Sequence, residues 1–159
     1  MKTILEHCSV LPQIHFEEGE VLLAEGISSD KLFVLCEGVI EVFRADDTIA
    51  MVSEPGAVFG EMSVLLGIEH TASVRTKSAS TLYLIEGAKK FLAQNPAFLM
   101  PVACMLAARL RNSTTYLIDL KRQFRDQGDH FTMVDQVLES MAHDQEHHFT
   151  PDDQLPVDP

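Results

Sequence analysis

The stretch that decides the reading is residues 56–76, GAVFGEMSVLLGIEHTASVRT. Phe59-Gly60 closes a β-type run, residues 61–66 have the composition of one short helical turn, and a strand resumes at Ala72 after a loop. A helix start exposes backbone N–H groups without internal partners, and a glycine beside it lets a ligand approach closely, so the pair makes an anion site. Glu61 in that same turn is out of place beside an anion alone. It fits a ligand that presents both an anion and a hydroxyl, with the carboxylate accepting from the hydroxyl.

Upstream and just downstream lie short β-type runs at residues 20–24, 32–37, 39–44, 48–53, 72–77 and 81–86. Residues 39–44 alternate, placing Val39, Glu41 and Phe43 on one face and Ile40, Val42 and Arg44 on the other. Gly19, Gly26, Gly38, Gly56 and Gly60 punctuate the runs at turn positions. Many short strands separated by glycine predict a mainly β fold with added α, built as a small antiparallel roll, barrel or sandwich.

After residue 87 the period becomes helical. Ala88–Gln94 reads as a short helix broken at Asn95-Pro96, where proline can open the next helix. From there to residue 125, Leu99, Ala103, Leu106, Leu110, Ser113, Leu117, Leu120 and Phe124 follow an alternating spacing of four and three. That heptad seam predicts a helix paired with a second copy of itself. The other reading is an amphipathic helix packed on its own roll; at 1.5 Å per residue such a helix is about 44 Å long and would overhang a small roll. Residues 126–142 are expected to form an additional helix with Met133, Val134, Val137, Leu138 and Met141 on one face. Residues 143–159 are polar, acidic and Pro-rich, and are expected to be disordered.

Residues 56–76 resemble the phosphate-binding cassette of the cyclic-nucleotide-binding domain family, found in the bacterial cAMP receptor protein and in regulatory domains of kinases and channels. Phe16-x-x-Gly19-Glu20, Gly26-x-x-Ser29-Asp30-x-Leu32-Phe33-Val34-Leu35 and Gly38-Val39-Ile40-Glu41-Val42 follow the β-roll pattern of that family. Asn95-Pro96 and Ala108-Arg109-Leu110 resemble the entry and body of its long dimer helix. The resemblance implies an antiparallel β-roll of the double-stranded β-helix or jelly-roll type over residues 1–125, carrying a short cassette helix and a long C-terminal dimerisation helix at 96–125.

The implied ligand is cAMP or cGMP. Gly60 and the backbone around Met62 and Ser63 would approach the cyclic phosphate and ribose, with Glu61 holding the ribose 2′-hydroxyl. In the family an Arg after the cassette helix grips the phosphate, often beside a small hydroxyl residue; the aligned pair here is His70-Thr71. Ser113 and Thr114 align with positions that reach the purine. Arg offers a fixed charge and a fork of donors, whereas His offers at most two donors and is mostly neutral near pH 7. Losing one charge-assisted hydrogen bond, worth about 1.5–3 kcal/mol, weakens binding roughly ten- to two-hundredfold. A phosphate grip through His70 would also depend on pH. Arg75 aligns beyond the grip and is expected to serve structure.

Composition sets the remaining bounds. The 159 residues hold 12 Lys plus Arg against 24 Asp plus Glu, a net charge of −12. Residues 126–159 carry nine acidic and no basic side chains, so most of that charge lies after residue 125 and does not oppose an anionic ligand in the roll. DNA binding needs basic contacts to phosphates and bases, and is not expected from this acidic segment. Nor is a membrane role expected: no apolar stretch approaches the roughly 18–20 residues of a span. Cys8, Cys36 and Cys104 form no CxxC pair and read as buried free thiols of a cytoplasmic protein. No nucleophile motif or two-apart histidine pair marks an enzyme, and His143, His147 and His148 lack a scaffold for a metal. Two functions are therefore expected to compete. One is a nucleotide-responsive homodimeric sensor acting on a protein partner; the other is a degenerate, nucleotide-independent dimerisation scaffold.

Overall fold

The computed structural model describes residues 2–123 and 132–143. In chain order it contains α1 (Lys2–Cys8), β1 (Gln13–Phe16), β2 (Val21–Leu23), β3 (Lys31–Glu37), β4 (Ile40–Arg44), β5 (Asp47–Val52), β6 (Val58–Phe59), α2 (Glu61–Leu66), β7 (Ser73–Thr76), β8 (Ser80–Glu86), α3 (Ala88–Gln94), α4 (Pro96–Gln123) and α5 (Thr132–His143). The six strands expected from the β-type runs all form, with ends shifted by no more than one residue. Two elements went unread in the sequence, α1 and β1; QIHF offers only two apolar residues to signal a strand.

The strands build an antiparallel roll of two four-stranded sheets, ordered β1-β8-β3-β6 and β2-β7-β4-β5. Between the sheets lies a core of Leu23, Phe33, Leu35, Ile40, Phe59, Val74 and Leu82 with neighbours. A second core covers the opposite face of the first sheet, where Leu32, Val34, Val58, Tyr83 and Ile85 meet Ile4 and Cys8 of α1, Val64 of α2, Ala88 and Leu92 of α3, and Phe98, Val102 and Met105 of α4. Strand β3 is thus apolar on both faces, which is why LFVLC reads as a continuous hydrophobic run. Phe91 and Phe98 lock α3 to α4 edge-to-face, with ring centroids 5.3 Å apart.

The second sheet has one inner and one outer face. Ile40 and Val42 point into the core, while Glu41 lies on the outer face beneath neighbouring side chains. Arg75 donates through Nε to Glu41 at 2.7 Å, Thr48 donates to its other oxygen at 2.7 Å, and Lys77 stands 3.9 Å away. The Arg75 hydrogen bond, then that from Thr48, holds the Glu41 carboxyl below its ordinary value. The Arg75 guanidinium also stacks 4.5 Å over the Phe43 ring. Arg75 is therefore a structural residue, as its alignment suggested.

Contacts divide the chain into two units, residues 1–106 and 107–159. In the first unit, the buried face of α4 is Phe98, Val102 and Met105, one position ahead of the expected seam. Leu99 and Leu106 of that seam lie beside this face, half-buried against the same core, and Ala103 is exposed. In the second unit, Leu110 is 53% exposed, Ser113 is exposed, and Leu117 and Leu120 are partly covered. Phe124 falls outside the described residues, as do 144–159. On α5, Val134, Leu138 and Met141 are half-buried while Met133 and Val137 are exposed, and Lys121 of α4 pairs with Asp135.

The thiols differ from one another. Cys8 is buried, Cys36 half-buried at a register break in β3, and Cys104 exposed, so the expectation of three buried thiols fails at Cys104. Burial, with a smaller contribution from Cys36, pushes the Cys8 thiol up to about 11 and keeps it protonated. Among the described residues no single helix is long and apolar enough to cross a membrane.

One turn shows how tightly the roll closes. Gly38, between β3 and β4, sits at φ +111°, and a Cβ there would stand 2.7 Å from the Ser80 Cα. Gly38→Ala is expected to lower the unfolding free energy by roughly 1–3 kcal/mol or more in chemical denaturation. Adding Ser80→Gly should not restore it, because the backbone clash and the positive φ both persist.

Candidate functional site

The cassette is shaped by glycines at both ends of α2. Gly60 follows β6 at φ 93°, in the left-handed region, and a Cβ there would lie 2.6 Å from the Lys31 carbonyl. Only glycine allows the chain to turn into α2 so close to β3. At the far end Gly67 is also left-handed, and its N–H and that of Ile68 both close on the Ser63 carbonyl, at 2.8 and 3.2 Å. The turn is thereby fixed at both termini despite its length of six residues.

Side chains on α2 divide by direction. Val64 enters the core beneath the first sheet, while Met62, Leu65 and Leu66 are exposed by 47, 43 and 64%. Glu61 and Ser63 are buried, at 4 and 6% exposure. A carboxylate in the first helical turn is stabilised by the partial positive charge of the free N–H groups there.

His70 is neither a surface loop residue nor an open donor. It is 4% exposed, and both ring nitrogens are engaged. Nδ1 stands 2.6 Å from the Ser63 hydroxyl and Nε2 stands 2.7 Å from the Ser29 hydroxyl. The backbone is held as firmly: His70 N–H donates to the Ile27 carbonyl at 3.0 Å and Gly26 N–H to the His70 carbonyl at 2.9 Å. Burial lowers the His70 pKa, so the ring is neutral near pH 7. Thr71, the next residue, is exposed.

The structure thus gathers Gly60, Glu61, Met62, Ser63, His70 and Thr71 along one cassette. Ser113 and Thr114 belong to the second unit, where Thr114 Oγ1 donates back to the Leu110 carbonyl at 2.9 Å. Ser29 is the residue that sequence reading missed. It falls inside the Gly26-x-x-Ser29-Asp30 motif, but no local spacing shows that its hydroxyl meets a ring 41 residues later. Its neighbour Asp30 caps α3 from a distance, accepting from Lys89 N–H at 2.7 Å through its side chain and from Ala88 N–H at 3.1 Å through its carbonyl. Among the described residues no group of His, Cys, Asp or Glu is placed to hold a metal ion.

Residues 13–93 match the cyclic nucleotide-binding domain family, and the chain belongs to it. Over 72 residues it is 35% identical to an ABC transporter ATP-binding protein of Mycobacterium tuberculosis, a match covering 43% of this chain and 22% of that protein. It is 25% identical over 121 residues to the CRP-like cAMP-activated global transcriptional regulator of the same organism, covering 69% of this chain and 52% of the regulator. The chain therefore spans from under a quarter to about half of the length of these curated relatives. The catabolite activator protein of Thermus thermophilus superposes with a TM-score of 0.62 over 90% of this chain and 84% of that one, at 21% identity, a likeness of fold.

The buried neutral imidazole has a measurable consequence. Its pKa is lowered in the folded state, so the unfolded chain binds more protons as the pH falls. The stability tied to the neutral ring is present above the ordinary imidazole value of 6.5 and is lost as pH falls through the lowered one. His70→Gln keeps one donor and one acceptor but does not titrate. The stability difference between wild type and His70→Gln, followed by denaturation from pH 7.5 to 5, is expected to shift against the wild type as the solution is acidified. A pH-independent difference would contradict this.

Proposed function

We propose that this chain is a nucleotide-responsive regulatory module that binds cAMP or cGMP weakly in the roll and signals through a helical homodimer to a protein partner. The observation that carries this reading is the buried Glu61 in the first turn of a glycine-led cassette, in a chain of the cyclic nucleotide-binding family. The backbone at Gly60, Met62 and Ser63 would take the cyclic phosphate and ribose edge, and Glu61 would accept the 2′-hydroxyl. Thr71 would add a hydroxyl for a phosphate oxygen, and Ser113 and Thr114 would approach the base. A ligand that binds one helix arrangement better than another shifts the population between them, which is sufficient for signalling.

His70 sets the expected strength of this site, because a neutral ring cannot supply the charge of a guanidinium. Calorimetric titration is expected to give weak saturable binding of cAMP or cGMP, tightened roughly ten- to two-hundredfold in His70→Arg. Absence of heat from both proteins would reject a nucleotide ligand.

The geometry of His70 also favours a second reading. With both ring nitrogens already satisfied by Ser29 and Ser63, the cassette is self-contained and can serve as a scaffold without a nucleotide. No heat in the wild type, with binding gained in His70→Arg, would select this reading.

Both readings use the dimer. Support for it comes from the heptad seam and from Leu110, which is 53% exposed in the single chain. Sedimentation is expected to show a dimer for the wild type and a monomer for Leu110→Glu combined with Leu117→Glu. A monomeric wild type would overturn the helix pairing.

A further inference from the structure

We propose that Ser29, His70 and Ser63 form a proton-operated donor set, so that binding a cyclic nucleotide draws one proton onto the imidazole. This rests on the nucleotide reading above and specifies how that same site is regulated. It follows from counting hydrogens. A neutral imidazole has one N–H and one lone pair, and each serine hydroxyl has one hydrogen to give. With a hydroxyl 2.6 Å from Nδ1 and another 2.7 Å from Nε2, the ring N–H goes to one serine oxygen and the lone pair takes the hydrogen of the other. One of the two serines has therefore committed its only hydrogen to the ring. A single hydroxyl hydrogen is left for a ligand.

Protonation changes the count. An imidazolium donates from both nitrogens, both serine oxygens become acceptors toward the ring, and both hydroxyl hydrogens are released. The cassette then offers two hydroxyl donors and a positive charge between them, at the position where the family places a guanidinium. In the free protein that charge is disfavoured, because the ring is 4% exposed. A phosphate anion accepting from both hydroxyls compensates for the missing water. The empty site therefore favours the neutral ring and the occupied site favours the charged one, and the difference appears as proton uptake on binding. The cyclic phosphodiester remains a monoanion throughout the range, so the proton is taken up by the protein.

The surrounding charges do not supply an alternative switch. On the segment before β3, Glu25 is paired with Arg44, and Asp30 is engaged at the start of α3. Lys31 at the start of β3 is paired with Glu86. Glu61 on α2 is buried and Glu69 precedes His70 in the chain, and burial alone accounts for the direction in which His70 is displaced. Among the described residues each of the two serine hydroxyls has His70 as its hydrogen-bond partner, so the exchange of donors can be completed within the trio.

The test is calorimetry with cAMP and cGMP at pH 5.5 and 8, in buffers of differing ionisation enthalpy. Wild type is expected to bind more tightly in acid, by up to about tenfold per pH unit, with uptake of as much as one proton per site. His70→Arg should bind tightly and independently of pH. Ser29→Ala retains one outward hydroxyl in either state, so its affinity should fall below wild type most at pH 5.5, where the charged ring is most populated, and by less at pH 8. In a separate NMR titration, the His70 pKa should rise when nucleotide is added. Wild-type binding without pH dependence or proton uptake overturns the proton coupling and leaves the nucleotide reading standing. Equal losses at both pH values in Ser29→Ala, or no loss, overturn the donor count. If wild type binds at neither pH, both the coupling and the nucleotide reading of the wild-type site fail, and His70→Arg then shows whether the rest of the cassette is competent.

Discussion

The pairing of β3 with β8 is the interaction on which the other parts rest. Leu32 faces Ile85, Phe33 faces Leu84, Val34 faces Tyr83 and Leu35 faces Leu82 across this ladder. Alternate residues then send Phe33, Leu35 and Leu82 into the space between the sheets and Leu32, Val34, Tyr83 and Ile85 into the core beneath the helices. A ladder that feeds two cores must be apolar on both faces, and β3 is. β6 is added to the free side of β3, and from β6 the chain turns at Gly60 into the cassette. The cassette therefore takes its position from a strand pair whose centre is buried rather than from its own short helix, which would not hold a turn in isolation.

Against that rigid support, the proposed nucleotide chemistry of the site would depend on a small exchange of donors. A guanidinium brings a permanent charge and needs no rearrangement to meet a phosphate. An imidazole enclosed by two hydroxyls brings neither until it is protonated. The surrounding protein makes it a good neutral residue: buried, fully hydrogen-bonded, with its backbone tied to Gly26 and Ile27. The features that stabilise the neutral His70 are the ones that the phosphate of the proposed ligand would have to work against.

Much of the fold was open to reading because its signals are local. Turn glycines and short β-type runs located six strands to within one residue, and Ala88–Gln94 was legible from the breaker Asn95-Pro96. The heptad spacing on α4 was real but ambiguous. Residues 98, 102 and 105 share the spacing of 99 and 106, and only the position of the sheet decides which face is covered. In the cassette, Gly60, Glu61 and the identity of residue 70 could be read directly. What could not be read was that His70 turns inward, because that depends on Ser29, which reaches it only after β3 through β6 have folded between them. Cys104 illustrates the same limit: its apolar neighbours in sequence lie on a different face of the helix.

The strand order also governs when this protein can fold. β8 is the inner neighbour of both β1 and β3, and β7 is the inner neighbour of both β2 and β4. Both of these central strands lie in residues 73–86, so neither sheet can be completed before that part of the chain is available. Until then the preceding residues can form only the β3–β6 and β4–β5 pairs, leaving the apolar edge of β3 uncovered. Closing β1 onto β8 joins Gln13 to Tyr83, a loop whose entropy must be overcome before the contacts repay it. During synthesis on a ribosome the roll can therefore be completed only late, and until then the apolar edge of β3 needs protection from pairing with other chains.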